Sequence, residues 1–295
     1  MTRLAELRRA ADCCRDVVAH ALEGIAAAGP GFVLVVAGDE VGADVADRQL
    51  GDVLGHAEPA HQGAAGAILE TVAATQPEHP GVVHYLIHTY DYPPLAQRGL
   101  NAANKYAEVA PAAPHALHMP AHTYSMLGLW AQSVASNTKS RASGQEFAAR
   151  VWPGAAHPGE PHYLDFMEYA LLQMGQEQRA EQVRDDSNAI KKLGFEFMPS
   201  YTGLAAVPAR FALERQAWKE AAVLEPRGSQ YPQAEAITYF ARAMGSARSG
   251  DLAAADRELG KLKELRTLLE KANQSYWAEQ VEIQILAASR SAPKV

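Results

Sequence analysis

The sequence is poor in residues and segments that mark several common classes of protein. It has only two cysteines, Cys13 and Cys14, which as neighbours are poorly placed to staple loops or to form a CxxC metal knuckle. The longest apolar runs, such as residues 32–37, are far shorter than the roughly 18–20 residues that cross a bilayer. We therefore predict no cysteine-bound zinc and no contact with a membrane.

Positive charge is also scarce. The chain has 295 residues, and 27 Lys and Arg against 34 Asp and Glu give a formal net charge of −7. A nucleic-acid-binding surface usually requires a basic excess, so no nucleic-acid partner is predicted. Residues 1–14 lack the apolar core and the small-residue cleavage site of a secretory signal, and we predict a cytoplasmic protein.

Short catalytic motifs are missing as well. The sequence contains neither a GxSxG elbow nor an HExxH zinc motif. The segment GDEVGAD at 38–44 has neither the spacing of a calcium loop nor the lysine of a phosphate-binding loop. We predict no nucleotide cofactor, and no specific reaction follows from the motifs.

What is present is a recurring helix-turn-helix pattern. An apolar residue, a glycine and an aromatic or apolar residue are followed by small residues, with turn positions at Gly128, Gly175, Gln216 and Gly250. The intervals are 47, 41 and 34 residues, and the last equals the tetratricopeptide period. The longer intervals contain the segments 151–161 and 194–203, which are rich in the helix breakers Gly and Pro.

On these positions, residues 64 to about 270 resemble a tetratricopeptide-repeat protein. The segments HPGVVHYLIHTYD, PHALHMPAH and PHYLDFMEYALLQMG resemble, more narrowly, a bacterial histidine-rich group of such proteins without an assigned activity. The resemblance implies an all-α fold, an α-solenoid of stacked repeats whose first helices line a concave groove. The unequal intervals and the missing glycine at Gln216 depart from a regular superhelix.

We divide the chain into an N-terminal extension (1–61), a helical repeat domain (62–285) and a C-terminal tail (286–295). The extension fits no single pattern. An amphipathic helix over 2–28 is followed by a strand-like FVLVVAG and by a polar, Gly- and Asp-rich linker at 38–61.

Histidine is distributed unevenly. Six of the 11 histidines lie between 79 and 122, where even spacing would place about two. His84 and His88 are four apart on a predicted helix over 82–91, so both rings project from one face and can chelate one ion. His79, which precedes Pro80, is predicted to have a structural role where this helix starts.

Two further sets of candidate ligands follow. In the first, spacings of three and four place histidines on one helical face, and Pro120 must kink or start the helix there. In the second, two candidate ligands lie three residues apart just after Pro161, and Glu168 follows. The first set is His115, His118 and His122, and the second is His162 and Asp165.

The three sets fall in 82–91, 115–127 and 162–174, each predicted to be the first helix of a repeat. Because the resemblance implies that first helices lie side by side, we predict that the imidazoles converge on a metal site. A set rich in nitrogen and without thiolate suits Zn, Cu, Fe or Ni better than Mg or Ca. The predicted ligands, not all of which need bind, are His84, His88, His115, His118, His122, His162 and Asp165.

Three functions are compatible with this pattern. The prediction we favour is a binding scaffold whose concave face carries the transition-metal site. The first alternative is a metalloenzyme that uses the site for hydrolytic or oxidative chemistry, with Glu168 or Asp165 as the base. The second is a metal-free module that binds a protein or peptide in the groove, with the histidines as packing or ligand contacts.

Overall fold

The computed structural model describes residues 59–291, and this part of the chain is helical without a β-strand. The prediction of an all-α protein is confirmed for these residues. The interpretations of 2–28 and of FVLVVAG lie outside them. The helices are α1 (Pro59–Thr75), α2 (Pro80–Thr89), α3 (Ala96–Val109), α4 (Pro114–His118), α5 (Pro120–Met126), α6 (Trp130–Val151), α7 (Glu160–Gln173), α8 (Glu177–Ala189), α9 (Met198–Glu214), α10 (Trp218–Ala221), α11 (Pro232–Ser249), α12 (Leu252–Lys271) and α13 (Ser275–Ser289).

The chain divides into two compact units, and the boundary lies between Ser136 and Asn137, within α6. In a repeat protein, each repeat contacts mainly the repeats next to it in sequence. A division into two compact units is therefore compatible with the single repeat domain predicted over 62–285. The limits of that domain differ from the helix limits. α1 begins at Pro59 and α13 continues to Ser289, so part of the predicted tail is helical.

In the first unit, α2 packs against α1 and α3, and α3 packs against α5. The core of this unit lies between these helices and includes Val82, Ile87, Tyr90, Ala103 and Met119. Its apolar side chains recur every three or four residues along α2, which buries one stripe of that helix.

Prolines fix where α2 and α5 of the first unit begin. Pro80 occupies the first turn of α2, and the backbone N–H of Val82 donates to Nδ1 of His79 at 3.3 Å. His79 is therefore the N-cap of α2, which confirms its predicted structural role. Pro120 starts α5 directly after the chain turns at Met119, as predicted for the segment that contains it.

In the second unit, consecutive helices from α7 onward pack against each other, and the alternate helices α7, α9, α11 and α13 also form a chain of contacts. α7 contacts α8 and α9, α9 contacts α11, and α11 contacts α12 and α13. A cluster of apolar residues from the last three of these helices forms a core at this end of the chain, with Leu262, Leu269 and Val281 almost fully buried.

All four turn positions that define the predicted repeat have a left-handed backbone. The φ angles are 70° at Gly128, 67° at Gly175, 54° at Gln216 and 86° at Gly250. Gln216 thus adopts the same turn as the glycines, although an L side chain is strained there. Asn273, with φ 56°, forms a further such turn between α12 and α13, which the sequence pattern did not reveal.

We expect Gln216→Gly to stabilise the protein by roughly 0.5–1 kcal/mol. Glycine removes the strain of the left-handed backbone, but it also gives the unfolded chain more conformational entropy, which offsets part of the gain. Urea unfolding measures the change. Gln216→Ala is the matched control, since it shortens an exposed side chain and keeps the strain. A glycine variant that is less stable than wild type would contradict the expectation.

Candidate metal centre

Three short helices of the first unit bring five histidines together. α2, α4 and α5 each begin with a proline, at Pro80, Pro114 and Pro120, which sets the register of the residues that follow. α2 presents two imidazoles one turn apart, and α4 and α5 supply the other three. The five are His84, His88, His115, His118 and His122.

The five imidazoles form a closed ring, called the histidine ring below. His118 is fully buried and the other four are partly buried. The centroids of adjacent rings are 4.7 Å apart for His84 and His88, 5.0 Å for His84 and His115, 6.3 Å for His115 and His118, 4.9 Å for His118 and His122, and 6.0 Å for His88 and His122.

One side of the ring is a triad that could hold a metal ion. His84, His88 and His115 each offer one ring nitrogen, and these three atoms lie within 4.8 Å of one another. Nε2 of His84 and Nε2 of His115 are 3.3 Å apart. Zinc binds imidazole at about 2.0–2.1 Å, so two ligand nitrogens of a tetrahedral ion are also about 3.3 Å apart.

The other side of the ring is a pair supported by a carboxylate. Nε2 of His118 and Nε2 of His122 are 3.1 Å apart, and Nδ1 of His122 lies 2.8 Å from Oδ2 of Asp91. An aspartate at this distance favours the tautomer in which Nδ1–H donates to the carboxylate. The lone pair of His122 is then on Nε2, which faces His118.

Asp91 was not among the residues predicted from the sequence. It lies just beyond α2, in the series His84, His88, Asp91 with spacings of four and three. That spacing is typical of one helical face and was the signal available in the sequence. Only the packing of α5 against the end of α2 made Asp91 a partner of His122.

A polar network holds α2, the helix that carries two of the three triad histidines. Tyr90, at the end of α2, donates its hydroxyl to Glu70 of α1 at 2.7 Å, and Arg98 of α3 donates to the same carboxylate at 2.9 Å. The Arg98 guanidinium lies 4.6 Å from the centre of the Tyr90 ring. The hydrogen bond from Tyr90 lowers the pKa of Glu70, which favours its ionised form. The Glu70 carboxylate thus links α1 to α2 and α3.

The remaining predicted ligands lie on α7 of the second unit. The His162 ring makes an edge contact with Phe166, at a centroid separation of 5.1 Å. Asp165 forms an ion pair with Arg210 of α9. Burial raises the pKa of Asp165, and Arg210 opposes that change. It stays a prediction that His162 and Asp165 bind metal together with the five histidines of the first unit.

Glu168, a turn further along α7, is a fully buried carboxyl group. Among residues 59–291, neither of its oxygens has a hydrogen-bond partner. Burial raises its pKa to about 9, against the opposing effect of Arg210. Glu168 is therefore protonated at pH 7, so it is poorly suited to the role of base that the sequence suggested for it.

The chain matches no protein-family model, no curated protein and no solved structure. Within residues 59–291, no helix has both the length and the apolar character required to cross a membrane. The geometry of the histidine ring is thus the basis for a functional assignment.

Proposed function

We propose that the protein binds a transition-metal ion through His84, His88 and His115. The observation that carries this proposal is the position of the three ring nitrogens from α2 and α4, which lie within 4.8 Å of one another. Nitrogen ligands without a thiolate suit Zn, Cu, Fe or Ni. The prolines that begin α2 and α4 and the Glu70 network position these ligands before an ion arrives.

A metalloenzyme is the second candidate function. Three protein ligands leave at least one position of a four-coordinate ion for water or substrate, as in catalytic zinc sites. The triad histidines are each partly exposed, which supports access from solvent. An ion in this position would supply an activated water or a Lewis acid for hydrolytic or oxidative chemistry.

The scaffold that presents the site is proposed to be a tetratricopeptide-like α-solenoid. Two observations support this arrangement: the contacts between alternate helices α7, α9, α11 and α13, and the four left-handed turns at the repeat positions. In such a scaffold a concave groove would accept a protein or peptide partner. If the triad binds no metal, this metal-free interaction module is the function that remains.

The test is the metal content of protein that is expressed without a histidine tag and purified without chelators. We expect at least one equivalent of Zn, Cu, Fe or Ni per chain by elemental mass spectrometry. The variant His84→Ala/His88→Ala should lose about one equivalent and keep its helical circular-dichroism signal. The reason is that a single remaining imidazole binds an ion far more weakly than three.

The matched control is His79→Asn. It removes a buried imidazole of the same unit that lies outside the histidine ring, and Asn is a favoured N-cap residue, so α2 keeps its start. Its metal content should equal that of wild type. Wild-type protein that contains no metal, even after reconstitution, would refute the metal site and favour the peptide-binding alternative.

A further inference from the structure

The separations between adjacent imidazoles divide the histidine ring into two groups. Within the triad and within the pair, adjacent rings are 4.7–5.0 Å apart. The two sides that join the groups are longer, 6.0 Å between His88 and His122 and 6.3 Å between His115 and His118. The ring is therefore a triad and a pair that face each other, and the triad alone is used by the proposed function.

The pair has the geometry of two ligands of one ion. Metal–nitrogen bonds of about 2.0–2.1 Å place two ligand nitrogens about 2.9 Å apart at a right angle and about 3.3 Å apart at the tetrahedral angle. Nε2 of His118 and Nε2 of His122 are 3.1 Å apart, between these values. Asp91 binds the far nitrogen of His122, as carboxylates do for metal-binding histidines.

We infer that the histidine ring holds two transition-metal ions, the second bound by Nε2 of His118 and Nε2 of His122 with Asp91 as the positioning residue. The inference rests on the proposed function and extends it from one ion to two. Solvent or other donors complete the coordination of the second ion. Asp91 also contributes a negative charge one imidazole away from that ion, which offsets part of the repulsion between two dications.

A single ion shared by all five histidines fits the ring less well. Donors at about 2.1 Å from one ion are at most about 4.2 Å apart. The triad nitrogens form a group within 4.8 Å of one another that does not include the nitrogens of the pair, so the pair would have to move closer to share an ion with the triad. The three helices α2, α4 and α5 would have to move together, although the core residue Met119 is fully buried between α4 and α5.

In the absence of metal, the same 3.1 Å separation is a hydrogen bond between two imidazoles, with His118 as donor and His122 as acceptor. The two interpretations differ in the number of ions bound. The experiment is therefore a stoichiometry: chelator-treated protein is dialysed against Zn²⁺, and bound zinc is measured by elemental mass spectrometry.

We expect two equivalents of zinc in wild type and in the control His79→Asn. One equivalent should remain in the triad variant His84→Ala/His88→Ala and one in the pair variant His122→Ala. His122 is chosen because it is partly exposed, whereas His118 is fully buried and its removal would leave a cavity. Circular dichroism of each apo variant checks that it is folded.

Asp91→Asn gives a second readout that a purely structural role would not produce. The weaker of two zinc affinities measured by calorimetry should fall about 10–100-fold, because an amide orients His122 without the charge. The other affinity should not change. With Cu²⁺ in place of zinc, wild type should show the magnetic coupling of two nearby ions, and His122→Ala the spectrum of one isolated ion.

Three results would overturn the inference. One equivalent in wild type that persists in His122→Ala would leave the proposed function intact and refute the second ion. One equivalent in wild type that is lost in both the triad and the pair variants would indicate a single ion shared by both groups. No zinc in wild type would refute the proposed function, and the second ion with it.

Discussion

Addition of Zn²⁺ to the metal-free protein should raise its free energy of unfolding by about 4 kcal/mol when free zinc is a thousand-fold above the dissociation constant. The ion binds the folded state, in which α2 and α4 hold three imidazole nitrogens within 4.8 Å of one another, and the unfolded chain has no such site. For a protein of this size, the midpoint of thermal unfolding should rise by roughly 10 °C. Melting curves followed by circular dichroism, with zinc and with a chelator, measure the effect.

The control variant His79→Asn should show the same gain as wild type, because its histidine ring is intact. His84→Ala/His88→Ala should lose the part of the gain that comes from the triad. An equal gain in all three proteins would mean that zinc binds elsewhere, and no gain in wild type would count against a native-state metal site of useful affinity.

Glu168→Gln should stabilise the protein by about 3 kcal/mol at pH 7, since the wild-type side chain must take up a proton to be buried. Its pKa is about 9 in the folded protein, compared with an ordinary value of 4.5. Between pH 4.5 and about pH 9, the Glu168 carboxyl group is protonated in the folded state and ionised in the unfolded state. The stability of wild type therefore falls as pH rises from about 4.5 to 9, and the amide removes this dependence.

Urea unfolding of both proteins between pH 4 and pH 8 tests this expectation. The two stabilities should be similar at pH 4, where the carboxyl is protonated in both states, and should diverge steadily above it. Glu279→Gln, a change on the exposed face of α13, serves as the control and should leave the pH profile unaltered. A Glu168→Gln variant that is less stable than wild type at pH 7 would show that the buried carboxylate is ionised and paired.

The local features of the fold were predictable because they depend on residues close in sequence. Pro80 and Pro120 begin helices since their fixed backbone angle suits a first turn. The turns at Gly128, Gly175 and Gly250 require a left-handed backbone that glycine adopts without strain. Gln216 was predictable only through the repeat, since its residue type alone argues against such a turn.

The candidate site was predicted in part. A spacing of four residues places His84 and His88 on one face of a helix whatever the rest of the chain does, and the same holds for His118 and His122 within their short segment. The distance between His84 and His115, 31 residues apart in sequence, depends on how α2, α3 and α4 pack, and no spacing rule gives it.

The sequence by itself therefore determined the helical class, the positions of the turns and the candidate nitrogen ligands, all of which follow from residue type and short-range spacing. Tertiary structure alone decided that five imidazoles close into one ring, that Asp91 supports His122 and that Glu168 is buried without a hydrogen-bond partner among residues 59–291. Contacts and burial of this kind arise from long-range packing, in which each helix is placed by several others at once.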